Sequence, residues 1–226
     1  MASPAIQLLP VVPDDCPALA AVETAAFAPY PASRAMKGTS TEASSIALRA
    51  IDLRKRLADA EHMKLAQYVK AVTSDGKVVG WATWHFYLEE GWKEVEKDEE
   101  ARKKEEEEQV WPEGLNVEAR KEFFERIELL RENMKGKRIA HLTILVVAPD
   151  FQGQGIGSAL IKYGLDIADK ENMPAWLEAS EAGYPVYKKF GYKDVQVVKF
   201  DAGKYTGEGE EVTSVGMLRE AKGLSN

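Results

Sequence analysis

The apolar residues change their period several times along the chain, and each change marks an element. Ile6 to Val12 is a short β-like run that Pro13 ends, because proline cannot donate to a strand ladder. Asp14 and Asp15 stand where helix caps do, and Pro17 is tolerated in a first turn. Leu19, Val22, Ala26 and Phe27 then recur at helical spacing, until Pro29 and Pro31 end the stripe. Thr41 to Ala60 reads as a second helix, with Ile46, Leu48, Ile51, Leu53 and Leu57 apolar. Leu65 to Thr73 and Lys77 to Leu88 are β-like and flank Ser74-Asp75-Gly76. That turn signal predicts an antiparallel hairpin.

The pattern then breaks. Lys93 to Gln109 carries the acidic block Glu105 to Glu108 and few apolar anchors, so it reads as an exposed helix or a disordered stretch rather than an acidic binding site. Asn116 to Met134 regains an amphipathic helical pattern through Val117, Phe123, Phe124, Ile127 and Leu130. Residues 92–138 therefore read as a charged helical insertion between two strands of one sheet, inside a single domain spanning 1–226. Beyond it, Ile139 to Val147 is strongly β, and Gly155 to Lys170 is a helix with Leu160, Ile161, Leu165 and Ile167 apolar. Ala175 to Ala179 is a short strand, Tyr184 to Phe190 a short helix, and Val195 to Phe200 and Val212 to Leu218 are strands. Strands interleaved with helices predict an α/β fold of the α+β type.

Composition narrows the function without naming it. A chain of 226 residues, 45% hydrophobic and 30% charged, has length enough for a sizeable core. Its net charge of −7 and lack of a basic stretch argue against nucleic acid as a partner and mildly favour a cationic substrate such as an amine. No apolar run approaches the roughly 20 residues of a membrane span. Met1 to Pro13 has no positive residue and no signal-peptide pattern. With Cys16 as the one cysteine there is no intramolecular disulfide, and a reducing, cytoplasmic location is expected. No basic group adjoins Cys16 in sequence, so an incidental thiol is favoured over a nucleophile. One cysteine and scattered histidines give no metal-ligand spacing.

The informative stretch is Leu145-Val146-Val147-Ala148-Pro149-Asp150-Phe151-Gln152-Gly153-Gln154-Gly155-Ile156-Gly157-Ser158. A hydrophobic strand ends at Pro149, and a glycine-rich turn opens a helix. Glycines allow positive φ and close approach of the backbone, while the first amides of a helix are unpaired and favour an anion. The amides of Gln154 to Ser158 therefore suit a pyrophosphate. The spacing departs from G-x-G-x-x-G, since Ser158 holds the last glycine position, and Gly-Lys-Ser/Thr is absent. A tight turn without a ligand is the bland alternative.

In the order of elements, Gln152-x-x-Gly155-x-Gly157 after Val147-Ala148-Pro149 resembles the Q/R-x-x-G-x-G/A motif of the GNAT superfamily of N-acetyltransferases. The resemblance spans most of the chain outside 92–138 and is most specific over 141–192. It implies a central mixed, mostly antiparallel sheet that splays between the motif strand and the next, with helices on both faces. It also implies acetyl-CoA (coenzyme A) as cofactor. The backbone of Leu145 and Val147, with Val146 between them, would meet the thioester carbonyl and pantetheine, and Leu145 would supply the oxyanion amide. Gln152, Gly153, Gln154, Gly155, Ile156, Gly157 and Ser158 would hold the phosphates, with Ser180 and Tyr184 as further cofactor contacts. Gln152 stands where arginine is commoner, which removes a charge but keeps hydrogen-bonding capacity.

Amine acetylation requires loss of a proton from the ammonium, oxyanion stabilisation and protonation of the departing thiolate. Tyr187, in Pro185-Val186-Tyr187-Lys188-Lys189-Phe190-Gly191-Tyr192, resembles the family's tyrosine that reaches the sulfur. A phenol with pKa about 10 is protonated near neutrality and can donate; aromatic packing is its plain alternative. His141 opens the motif strand and resembles the base histidine of the arylalkylamine N-acetyltransferase branch. That branch often has a second histidine two residues on, where this chain has Thr143. His85 reads as pocket lining or a satisfied half-buried histidine, and His62 as a solvated helix end. Glu178 is an alternative base whose facing the alternation leaves open.

The family's acceptor site would bring Glu23, Phe27 and Tyr30 to a small-molecule amine, arylalkylamine or polyamine-like, in a monomer or homodimer. Two rivals stand beside this transferase: a non-catalytic CoA-binding sensor or scaffold, and a protein-lysine acetyltransferase. The acceptor itself is not written in the residues, nor is N- against O-acetylation.

Overall fold

The computed structural model describes residues 6–88 and 110–223. In chain order, β1 (Ile6–Pro10) leads to α1 (Cys16–Phe27), α2 (Pro31–Lys37), α3 (Glu42–Ala58) and α4 (Ala60–Leu65). The hairpin of β2 (Ala66–Thr73) and β3 (Val78–Tyr87) follows. After α5 (Val117–Arg131) come β4 (Ile139–Val147), α6 (Ile156–Lys170), β5 (Ala175–Ala179) and α7 (Tyr184–Lys189). The remaining elements are β6 (Lys193–Asp201), α8 (Gly203–Thr206) and β7 (Glu211–Arg219). The strands form one seven-stranded sheet in the order β1-β2-β3-β4-β5-β7-β6. Every neighbouring pair is antiparallel except β4–β5, which is parallel. The mixed, mostly antiparallel sheet with helices on both faces is the expected one.

Three local features differ from expectation. Pro31 does not keep the chain out of helix; it begins α2 at its first position, where the missing N–H is not needed. The helix expected to run to Ala60 stops at Ala58, because Asp59 turns extended and caps a new one. The Asp59 carboxylate accepts from the amides of Glu61 and His62 at 3.0 and 3.1 Å. That break creates α4 and carries His62 inward, where its Nε2 lies 2.8 Å from the Tyr68 hydroxyl. His62 is thus not a solvated helix end. Of the region expected as an insertion, Lys93 to Gln109 lies outside the described residues. The helix expected over Asn116 to Met134 is α5, capped by the Asn116 side chain, which accepts from Ala119 N.

Each face of the sheet is covered differently. On one, Leu160, Ile161 and Leu165 of α6 pack against Trp84, Phe86, Leu142 and Leu177. The other is covered in two pieces. Leu19, Val22 and Leu53 of α1 and α3 cover Tyr68, Trp81 and Val146, while Ile127 and Leu130 of α5 cover Ile139 and Trp176. Trp81 and Trp84 point to opposite faces, and each ties the sheet to a helix by its indole N–H. Trp81 donates to Leu19 O at 3.0 Å and Trp84 to Leu160 O at 3.3 Å.

The spacing between α6 and the sheet is set at Gly164, where an added Cβ would fall 2.1 Å from the Trp84 ring. Gly164→Ala is therefore expected to overpack this contact, costing about 1–3 kcal/mol and lowering Tm by roughly 3–10 °C in a thermal melt. An unchanged Tm would show that this contact does not set the spacing.

Candidate active site

β4 carries one residue more than its neighbour. Trp84 pairs with Leu142 and Thr83 with Ile144, so Thr143 opposes nothing and forms a bulge. Strand side chains alternate, and an extra residue shifts the alternation by one. Ala140 and Leu142 accordingly share the α6 face with Leu145 and Val147, while Ile144 and Val146 pack beneath α1 and α3.

The backbone follows the same logic. Ala148 N donates to Val79 O of β3 at 2.8 Å. Counting back by alternation, the amides and carbonyls of Val147 and Leu145 point away from β3. On that side β5 meets β4 only at Ala140, His141 and Leu142. Beyond Leu142 no described strand pairs with β4 on that side, so the Leu145 amide and carbonyl and the Val147 amide line an open gap, while Val147 O accepts from Gln152 Nε2.

The glycine turn sits at the end of this gap. Gly153 and Gly155 have φ of 73° and 84°, which favour glycine, and Gly155 is the N-cap of α6. No side chain caps α6, so its first amides stay open. A Cβ at Gly153 or Gly155 would meet nothing within 4 Å, and one at Gly157 would only touch Val147 Cγ2 at 3.9 Å. The flanking glutamines brace the turn: Gln152 Nε2 donates to Val147 O and Gln154 Nε2 to Asp150 O, each at 3.0 Å. Ile156 is buried in the core beneath the turn. At the end of β5, the Ser180 carbonyl accepts from Gly183 N and Tyr184 N at 3.1 and 2.9 Å and so starts α7.

α7 brings Tyr187 in and turns Tyr184 out. Tyr187 is 8% exposed and packs edge-on to Tyr192, their centroids 6.1 Å apart. Burial, reinforced by the charge of Glu178, pushes the Tyr187 phenol above its ordinary value, so it stays protonated. Tyr184 is tied by its hydroxyl to Asp194 Oδ2 at 2.7 Å.

On the opposite face a buried chain of charges runs from β4 to α5. The alternation that the sequence leaves open resolves with Glu178 facing His141, whose Nε2 lies 3.1 Å from Glu178 Oε2. His141 is 2% exposed. Glu178 Oε1 accepts from Trp176 Nε1 at 2.8 Å. Arg131 Nε stands 3.5 Å from the same oxygen, an ion-pair distance too long for a good hydrogen bond, and its Nη1 bonds Glu128 at 2.7 Å. Burial alone would raise the Glu178 carboxyl, but His141 and Arg131 outweigh it and hold the group well below its ordinary value. Arg131 escaped the sequence reading, because a charge late in an amphipathic helix looks solvated.

His85 lies directly across from His141 in the β3–β4 register. Its Nδ1 is 3.4 Å from Thr143 Oγ1, which itself donates to Thr83 O at 3.2 Å. The His62 ring stands edge-on to His85 at 5.2 Å. The chain's three histidines are thus neighbours in series, His62 against His85 and His85 opposite His141. Burial, with His141 and His62 adding to it, pushes His85 down to about 3, so it is neutral at physiological pH.

The three residues expected around the acceptor do not bond to the His141–Glu178 pair. Glu23 accepts from Arg49 Nε at 2.9 Å, and Arg49 also binds Asp52. Phe27 packs in the α1–α3 core. Tyr30, at the start of α2, bonds Ser214 of β7 and faces Glu181; burial raises its phenol. Cys16 is fully buried, and burial pushes its thiol up, which suits packing rather than nucleophilic attack. Among the described residues no helix is long and apolar enough to cross a membrane.

A splayed mixed sheet with a glycine turn at the splay defines the class. Residues 39–192 match the profile of the Acetyltransferase (GNAT) family, and the chain belongs to it. It is 34% identical over 96 residues to an uncharacterized N-acetyltransferase of Schizosaccharomyces pombe, a match covering 41% of this chain and 38% of that protein. Among solved structures, arylalkylamine N-acetyltransferase 2 from Aedes aegypti is similar with a TM-score of 0.65 at 17% identity, over 95% of this chain and 98% of that one. The PaiA N-acetyltransferase of Thermoplasma acidophilum, solved with coenzyme A, gives a TM-score of 0.52 at 12% identity, over 96% and 99% of the two chains.

The charge chain has a pH signature. A carboxyl more acidic in the fold than in the unfolded chain adds stability above its ordinary value of 4.5 and loses it as the pH falls below. Glu178→Gln should therefore flatten the loss of stability below about pH 4.5, in urea melts followed by near-UV circular dichroism, while lowering stability at pH 7. A variant as acid-sensitive as the parent would show that Glu178 is not held ionised.

Proposed function

We propose that the protein is an acetyl-CoA-dependent N-acetyltransferase that acetylates the primary amine of a small-molecule acceptor. The observation that carries this reading is the gap beside Leu145 and Val147, ending at the open N-terminus of α6. Unpaired strand amides suit the amide-bearing pantetheine arm, and bare glycines with open helix amides suit its pyrophosphate. When bound, acetyl-CoA supplies an activated acetyl group. Family membership and the fold shared with a coenzyme A complex support the same cofactor.

The chain's own groups then divide the work. The Leu145 amide, which faces the gap, serves in this reading to stabilise an oxyanion there. His141 Nε2–H donates to Glu178, which leaves Nδ1 as the basic nitrogen and stabilises the imidazolium when it takes the amine's proton. His85, held neutral, is unsuited to keep that proton and serves instead as a polar wall. Tyr187 reaches from the other face as the proton donor to the departing thiolate, its burial keeping the phenol protonated. Gln152 steadies the end of β4 through Val147 O, and the second hydrogen on its Nε2 is left for a phosphate oxygen.

Thiol release from acetyl-CoA, followed with a chromogenic thiol reagent across aromatic amines, polyamines, amino acids and peptides, tests the reading. Amine-dependent release is expected. Coenzyme A binding without release would leave a binding module, and acetylation of lysines in folded proteins in preference to free amines and short peptides would point to a protein substrate. Tyr187→Phe should lower kcat by about 10²–10⁴-fold while the Kd for coenzyme A in calorimetry stays within about twofold. Because its phenol titrates above the ordinary value of 10.0, kcat should not lose Tyr187's contribution below pH 10. Equal kcat in the two enzymes would remove Tyr187 from the chemistry.

A further inference from the structure

Helix α5 carries a guanidinium that meets no anion among the described residues. Arg120, on the first turn of α5, lies between two aromatic rings, 5.0 Å from the Trp111 centroid and 4.6 Å from that of Phe124. Both rings lie within cation–π reach, and a ring face takes no N–H···O bond from the guanidinium's edge. No carboxylate or carbonyl accepts from the Arg120 N–H donors among the described residues, whereas Arg34, Arg49, Arg56, Arg131, Arg138 and Arg219 all have carboxylate partners.

Arg120's surroundings sharpen the contrast. Its electrostatic neighbours are Arg49, Glu23, Asp52 and Arg56. The acids there are already engaged, Glu23 by Arg49 and Asp52 by both Arg49 and Arg56. Three guanidiniums therefore share two carboxylates, and Arg120 is the one left over. Desolvation, with Arg49 adding to it, pushes Arg120 below its ordinary value; since an arginine does not give up its proton, this marks a cation whose charge is poorly met. A half-dry fork with free edges is the geometry that takes a carboxylate through two parallel hydrogen bonds.

Arg120 stands on the helix that also reaches the proposed chemistry. Arg56 is an electrostatic neighbour of both Arg120 and His85, and His85 stands beside His141. Arg131, which touches Glu178, lies on the same helix as Arg120, and eleven residues separate them on the order of 16 Å along its axis.

Resting on the acetyltransferase reading above, we propose that the acceptor is an amine that also bears a carboxylate, which Arg120 binds at the end of α5 away from the Arg131–Glu178 contact. The axial separation calls for an extended acceptor, a short peptide or long-chain amino acid, whose amine reaches His141 while its carboxylate meets the Trp111–Arg120–Phe124 stack.

The test uses matched acceptors, di- and tripeptides with a free C-terminal carboxylate against the same peptides amidated. The parent enzyme should show a KM about 10–100-fold lower for the carboxylate forms, the range of charge-assisted hydrogen bonds. In Arg120→Gln that ratio should collapse towards one, and Arg120→Lys, which keeps the charge without the fork, should fall between. A second readout does not need turnover: titration with glutarate, followed by tryptophan fluorescence, should saturate with the parent and not with Arg120→Gln. A parent with no carboxylate preference, or one whose preference survives Arg120→Gln, overturns the proposal. If no amine is acetylated, the acetyltransferase reading fails and so does the acceptor proposal, while saturable glutarate binding would then leave Arg120 as an anion site only.

Discussion

The site depends on one extra residue in one strand. Thr143 lets β4 keep its ladder with β3 to the end while changing which side chains meet which face. Without it, His141, Thr143, Leu145 and Val147 would all share a face by simple alternation. With it, Leu145 and Val147 join the α6 core, and their amides open on the side that β5 has left. Buried backbone amides normally find partners within a sheet. Here the partners are withheld at the point where the chain turns through glycine into α6, so the divergent strand edge and the helix N-terminus form one continuous row of donors.

The two faces of the sheet meet this gap with different chemistry. From the α6 side comes a buried phenol; from the other comes a buried histidine–carboxylate pair. Tyr187 and Glu178 are electrostatic neighbours although they stand on opposite faces, because the sheet is open between β4 and β5. Burying the Glu178 charge is unfavourable unless it is met, and His141, Trp176 and Arg131 together meet it. The same arrangement fixes which His141 nitrogen carries hydrogen. Local electrostatics and proton inventory are thus set by the same contacts.

Legibility in the sequence followed the range of the interactions. The turn from Pro149 to Ser158, the hairpin at Ser74-Asp75-Gly76 and the run of elements after Ile139 were readable because local residues determine them. Pro29 and Pro31 mark the end of α1 as expected, but that Pro31 also begins α2 is decided by the extended Tyr30 before it, which the sequence does not show. Asp59 was hidden inside an apolar stripe that ran on past it. The histidines gave no spacing to read: His62, His85 and His141 come from three elements and meet only through the β2–β3–β4 register. Glu178 was visible as a candidate, but its facing depended on where β5 pairs with β4. Arg120 and Arg131 looked like ordinary solvated charges on α5.

Those two arginines bear on how such a fold acquires a particular acceptor. The cofactor side rests on β4, the glycine turn and α6, which are contiguous in sequence and constrain one another through backbone geometry. Helix α5, which lies between β3 and β4 in sequence, contributes side chains alone. Arg131 holds the carboxylate that bonds His141, while Arg120 stands at the other end of the same helix. A change in sequence around Arg120 would therefore leave the strand amides that face the gap untouched, whereas a change at Arg131 would reach the His141–Glu178 pair. Backbone builds the gap and helix side chains surround it, so under the proposed reading the two ends of α5 answer for different parts of the reaction.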